Sequence, residues 1–385
     1  MYKVIVNPYN NKKYSIFSKK GLDTLNMYIN ININVNKKSN VKKYLPINKL
    51  VGINSHPFVL FYFKNLKNFN TKNTISSVVL IGEDHNFSKY KCNNEKNCYN
   101  INDFQKTLFK YIYNMGCTLD VFIENYTKRL KIDNYDIYHS FVKTENSMLK
   151  SWKNRFIYTD DHNFENLLEN KNGEEIKEYN NVYFHLIDLR YMFNEKLNIF
   201  VTLKILNIDI TKIYPNFDYE NDLICILTYI LYKENTENNL NFQKGKFIIN
   251  TISNEIDQLI ANKINTYKFI EFINLYKNLI SIIIKFYKND KNFIDSYIKS
   301  VSVITSAIDK TNIFETLDSL LMDIYTINKM FNNIRKNILF YGGGWHTMVY
   351  CEFINQYYKK SPDIKSKNKI FNKLVLDNFN YECGT

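Results

Sequence analysis

The chain has 385 residues and a mass of 46.1 kDa, and 45% of it is hydrophobic, enough for a large buried core and too much for a disordered chain. Its formal net charge is +13, yet only four of its 51 basic residues are arginines (Arg129, Arg155, Arg190 and Arg335), and the surplus of Asn, Lys, Ile and Tyr is that of an AT-rich coding sequence. Charge of that origin, without clustered arginines and aromatics or a recognisable module, does not argue for a nucleic-acid partner.

Residues 1–75 mix short strand-like runs (YKVIV, YSIF, PFVLFYF) with Asn/Lys-rich connectors, and are expected to form an N-terminal peripheral α/β layer. The opening MYKVIVNPYNNKKYS breaks at Asn7-Pro8 before an apolar signal region develops, so no signal peptide is expected. An α/β core is expected over 76–190, as strand 77–81, a cysteine-containing loop, helix 102–115, strand 118–124, helix 135–150 and strand 182–189. Alternation of strands and helices predicts a parallel-rich central sheet with flanking helices. Cys92 and Cys98 in KCNNEKNC could clip their loop; free thiols are the simpler reading, because the six cysteines are too scattered for a disulfide scaffold.

From Tyr191 the pattern changes. No proline occurs from Asn216 to Lys360, and apolar residues recur at three- and four-residue steps, as in FIEFINLYKNLISIIIKFY. This predicts four to six helices as a large all-helical insertion or cap over 191–335, before the last core strand. The longest apolar runs, Leu223–Tyr232 and Leu279–Tyr287, are too short to cross a bilayer and read as buried helix faces. The core resumes over 336–385 with strand 337–341, and FNKLVLDNF is a candidate last strand.

Two segments share a design: VVLIGEDHNF (Val78–Phe87) and NILFYGGGWHTMVY (Asn337–Tyr350) both read as strand, then G-x-x-H, then helix. Gly82, Gly343 and Gly344 would let backbone and ligand approach closely at these strand ends. Glu83 and His85 follow the first strand, Glu124 closes LDVFIEN, Asp188 and Arg190 close HLIDLR, and His346 opens the final helix. In a parallel sheet all of these ends lie on one side, where ligands bind. Imidazoles with carboxylates suit a divalent ion such as Mn, Fe, Co or Zn, which activates water and polarises a carbonyl. A further carboxylate would serve as general base, and the guanidinium would stabilise an oxyanion or orient an anionic substrate.

Each residue has a plainer reading: a capping histidine at His85, a solvated Glu124, an Asp188–Arg190 ion pair, a packing Trp345. His185 reads as core, on the face opposite Asp188. His162, beside Asp160 and Asp161, is a possible extra ligand. His139 falls in a helical stretch, and His56 precedes a proline in the peripheral layer.

Gly82-Glu83-Asp84-His85, Glu124 and Gly343-Gly344-Trp345-His346, in this order at strand ends, resemble the superfamily of erythromycin esterase, ChaN-like haem-binding proteins and the Tiki/TraB metalloproteases. The first motif is most similar to the ChaN type, and the overall order resembles uncharacterised proteins of large DNA viruses. The resemblance covers roughly 76–190 and 335–360. It implies a metal site with ligands His85, Glu124 and His346, and catalytic roles for Glu83, Asp188 and Arg190, although the family's arginine is variably placed. The triple glycine before His346 departs from the pattern and leaves the motif's register open by one residue. The implied activity is a metal-dependent hydrolase for a peptide, ester or similar small substrate. The alternatives are a non-catalytic haem or iron binder, and an inactive viral module whose insertion engages a host protein. The expected location is intracellular, in host cytoplasm or virion.

Overall fold

A computed structural model describes residues 4–6, 13–15, 59–69, 73–83, 118–124, 174–175, 182–189, 199–232, 239–261, 268–307, 312–332 and 335–367. The chain divides into two compact units. In the first, Met1–Lys49 with Lys373–Asn378, the described residues form an antiparallel pair, β1 (Val4–Val6) and β2 (Lys13–Ser15).

The second unit, Leu50–Asn372 with Phe379–Thr385, holds a seven-stranded sheet. Its strands are β3 (Val59–Lys67), β4 (Thr74–Glu83), β5 (Leu119–Ile123), β6 (Glu174–Glu175), β7 (Val182–Leu186), β8 (Asn337–Gly343) and β9 (Ile364–Lys367), in the order β6-β7-β5-β8-β4-β3-β9. The inner four, β7-β5-β8-β4, are parallel; β6, β3 and β9 pair antiparallel at the edges. β5 and β8 are buried at every residue, which is why they are near-continuous apolar runs rather than alternating ones. Residues 59–67, within the segment expected to be peripheral, extend this sheet beside β4. The strand β9 was not expected, and the candidate strand FNKLVLDNF lies outside the described residues.

The order is the feature that positions the site. β4 and β5, successive among the described parallel strands, lie on either side of β8, and β8 enters only after the helical insertion. The register aligns Ser77 with Asn337 and Gly82 with Gly342, so the two glycine-bearing strand ends are neighbours. The glycine of the first G-x-x-H therefore faces Gly342, one residue ahead of the glycine that begins the second.

Between β7 and β8 the described residues are helical: α1 (Ile199–Ile205), α2 (Ile210–Ile213), α3 (Asn221–Leu231), α4 (Leu240–Ile260), α5 (Phe269–Phe286), α6 (Lys291–Ala307) and α7 (Ile313–Phe331). Five fall in the proline-free stretch; two short ones precede Pro215. Asn239 and Asn312 cap α4 and α7, their side chains accepting N–H bonds from Asn241 and Phe242 and from Phe314. Gly245 lets α4 press against α3, for a Cβ there would lie 2.0 Å from the carbonyl oxygen of Cys225. α7 is buried along its whole length apart from Glu315, and helix α8 (Gly344–Tyr358) continues directly from β8. Strands and helices share one apolar core, running from Phe63 and Leu80 through Phe122 and Phe340 to Phe200, Tyr276 and Phe353.

Candidate functional site

Glu124 follows β5 directly, and its N–H donates to the carbonyl of Tyr341 at 3.0 Å, carrying the β5–β8 ladder one step past the strand. That bond fixes its backbone. Its Oε2 accepts the N–H of Gly343 at 2.6 Å, at the N-terminus of α8, where a carboxylate is favoured by unpaired N–H groups and the helix dipole. Glycine at 342 makes room for this arrangement: a Cβ there would lie 2.9 Å from Glu124 Oε2 and 2.6 Å from the Phe340 ring, so one of them would have to shift. The unusual glycine run thus makes room for an acid on the next strand.

His346 lies in the first turn of α8. Its Nε2 is 3.6 Å from Glu124 Oε1, and its Nδ1 is 2.7 Å from Oδ1 of Asp323 on α7. Asp323 is fully buried. It also accepts the hydroxyl of Tyr350 at 2.8 Å on Oδ1 and that of Tyr297 at 2.9 Å on Oδ2. Burial, and then the Asp323 charge, push both phenols well above their usual pKa, so at neutral pH they are O–H donors. A carboxylate taking both hydroxyls completes its set with Nδ1–H, and Nε2 then faces Glu124 either as a lone pair or, in the imidazolium, as an N–H.

This pattern is that of a metal-ligating histidine, whose second nitrogen donates to a carboxylate that orients the ring. The separation fits as well: donors each about 2.1 Å from a tetrahedral ion lie about 3.4 Å apart. Two lone-pair acceptors facing each other across 3.6 Å repel unless a cation or a proton lies between them. The spacing accommodates either a shared proton or a shared ion. Among the described residues no group of three His, Cys, Asp or Glu side chains is placed to hold a metal.

Of the other expected site residues, Gly82 lies near the end of β4 beside Gly342, and Glu83 ends that strand with its backbone paired to Gly343. Gly343 caps α8 and Gly344 is its first residue. Asp188 is buried two residues beyond β7. His85, Arg190, His56, His139, His162, Cys92 and Cys98, and the Glu83 side chain, lie outside the described residues. His185 is core, stacked on Phe122 with ring centroids 4.3 Å apart. The sequence reading missed Asp323, Tyr297 and Tyr350. The available signal was LLMDIY, an acid between apolar residues with no basic residue three or four positions away.

No protein-family model matches the chain, and comparison with curated proteins and with solved structures returns no match. Among the described residues no helix is long and apolar enough to cross a membrane.

Proposed function

We propose that this protein is a metal-dependent hydrolase of a peptide, ester or similar bond, with Glu124 and His346 as two ligands of a divalent ion and His85 as the third. The reading is carried by one observation: His346 is backed at Nδ1 by a buried carboxylate while its Nε2 faces Glu124 Oε1 at 3.6 Å, at the carboxyl ends of parallel strands. A divalent ion bound there supplies an acidified water and polarises the scissile carbonyl. Glu83, at the neighbouring strand end, takes the proton of the attacking water and returns it to the leaving group. Arg190 is assigned to steady the developing oxyanion, and Asp188 to act with it. A gap of 3.6 Å favours an ion over haem, because no macrocycle passes between the two donors.

Metal analysis of the purified chain, with chelator-sensitive hydrolysis assayed on ester and peptide panels in added Mn, Co or Zn, tests the proposal. About one ion per chain is expected, lost in His346→Ala and His85→Ala together with any hydrolysis. Glu83→Gln should keep most of the metal and lose turnover. A metal-free protein that hydrolyses nothing and binds haem stoichiometrically would replace this reading with the haem-binding one.

A further inference from the structure

We infer that the helical insertion is a working part of the site, and that Asp323 of α7 is a positioning residue that locks His346 in the tautomer with its proton on Nδ1. The inference about metal affinity rests on the metal reading above; the tautomer itself does not. Three groups converge on this one carboxylate: His346 Nδ1 and Tyr350 on Oδ1, Tyr297 on Oδ2. They come from the two sides of the insertion's C-terminal boundary, Tyr297 from α6 within it, His346 and Tyr350 from α8 after it. Asp323 and Tyr297 are fully buried, so no water competes for these bonds. Tyr297 reaches His346 through Asp323, whereas Tyr350 also lies beside the imidazole, with ring centroids 6.3 Å apart. A cap that merely shields a cleft needs apolar packing at this point, and a buried carboxylate would only cost stability there. Its place beneath the imidazole has a specific consequence: it sets which ring nitrogen carries the proton.

The test uses the full-length, metal-free protein labelled with ¹⁵N-histidine. The His346 signals, assigned by their absence in His346→Ala, should show the Nδ1–H tautomer. In Asp323→Asn the amide can donate to Nδ1, and the ring should switch to Nε2–H, with Zn or Co affinity falling 10- to 100-fold. Tyr350→Phe keeps the carboxylate, so it should keep the tautomer and most of the affinity. An Nε2–H tautomer in the wild type overturns the inference even if Asp323→Asn does not fold. So does Asp323→Asn with an unchanged tautomer. A wild type that shows Nδ1–H but binds no metal defeats the metal reading and leaves the positioning role standing.

Discussion

The same sheet carries two buried histidine–carboxylate pairs, and they have opposite characters. At the carboxyl ends, His346 is bonded to Asp323 and turns its other nitrogen toward a second acid, Glu124. At the amino ends, His185 Nε2 is 2.6 Å from Oδ1 of Asp120, the second residue of β5, and Arg335 donates to the same oxygen at 3.0 Å. Asp120 and Glu124 are four residues apart on one strand, about 13 Å. Helix α7 serves both pairs, bonding Asp323 to one and placing the charge of Lys329 near the other. The amino-end acid has its charge answered locally, by a guanidinium that also stacks on Tyr183 at 3.4 Å. His185 Nδ1 and Asp120 Oδ2 have no hydrogen-bond partner among the described residues. That pair is closed and structural. The carboxyl-end pair sets a second carboxylate 3.6 Å from the imidazole, the feature on which the proposed metal site rests. Parallel sheets bind ligands at the carboxyl ends of their strands, which is where the His346 pair lies.

The sharpest way to break this contrast is to remove one acid from each pair. Asp120→Ala removes a carboxylate partner from a part-buried guanidinium and from a fully buried imidazole, and should cost about 3 kcal/mol. Urea unfolding would read it as a lower midpoint, with no metal-specific phenotype beyond the loss of folded protein. Glu124→Gln keeps an acceptor for the Gly343 N–H and removes the charge facing His346, so metal should be lost with stability changed by about 1 kcal/mol or less. If Glu124→Gln proved the more destabilising of the two, the assignment of one pair to structure and the other to function would be reversed.

Next in size is Gly342→Ala. Its methyl would collide with the Phe340 ring and with Glu124, at 2.6 and 2.9 Å, and relief requires one of them to move. Overpacking of this kind costs about 1–3 kcal/mol. Because one of the two displaced groups is the proposed ligand, metal affinity should fall along with stability. Gly245→Ala makes the informative contrast: it meets backbone between α3 and α4, so it should destabilise more than Gly342→Ala and yet leave metal content per folded chain unchanged.

The carboxyl-end residues drawn from the sheet were legible in the sequence, and those drawn from the insertion were not. The runs before Gly82, Glu124 and Gly342 are apolar on both faces, which announces interior parallel strands, and the polar residues that end them stand out. Asp323 sits instead in a helix whose period suggests one apolar face and one wet one, so its acids read as solvated. The helix is in fact buried on nearly all sides. Periodicity reports which face is apolar; it does not report whether the polar face is covered by something else. The pairing of β8 between β4 and β5 is likewise invisible locally, because it is a contact between segments more than 200 residues apart. Asp120 was passed over for the same reason, since its partner Arg335 is 215 residues away.

The smallest expected effect is a pH dependence that belongs to the amino-end pair alone. Burial pushes the pKa of His185 below the ordinary imidazole value of 6.5; the bond to Asp120 opposes this, and the charges of Lys329 and Arg335 assist it. Above pH 6.5 the ring is neutral both folded and unfolded, and the folded state keeps its full stability. Below 6.5 the unfolded chain takes up a proton that the folded chain refuses, so stability falls as the pH falls toward the depressed folded value. Urea midpoints of metal-free protein between about pH 7 and pH 5 should decline, within a window mostly above that of ordinary carboxylates. His185→Gln keeps an N–H donor for Asp120 but cannot take up the proton, so its midpoints should decline less over that window, whatever the substitution costs at pH 7. Parallel curves for the two proteins would mean that His185 is protonated as readily in the fold as in the open chain, and that the amino-end pair is not the closed structural element it is taken to be.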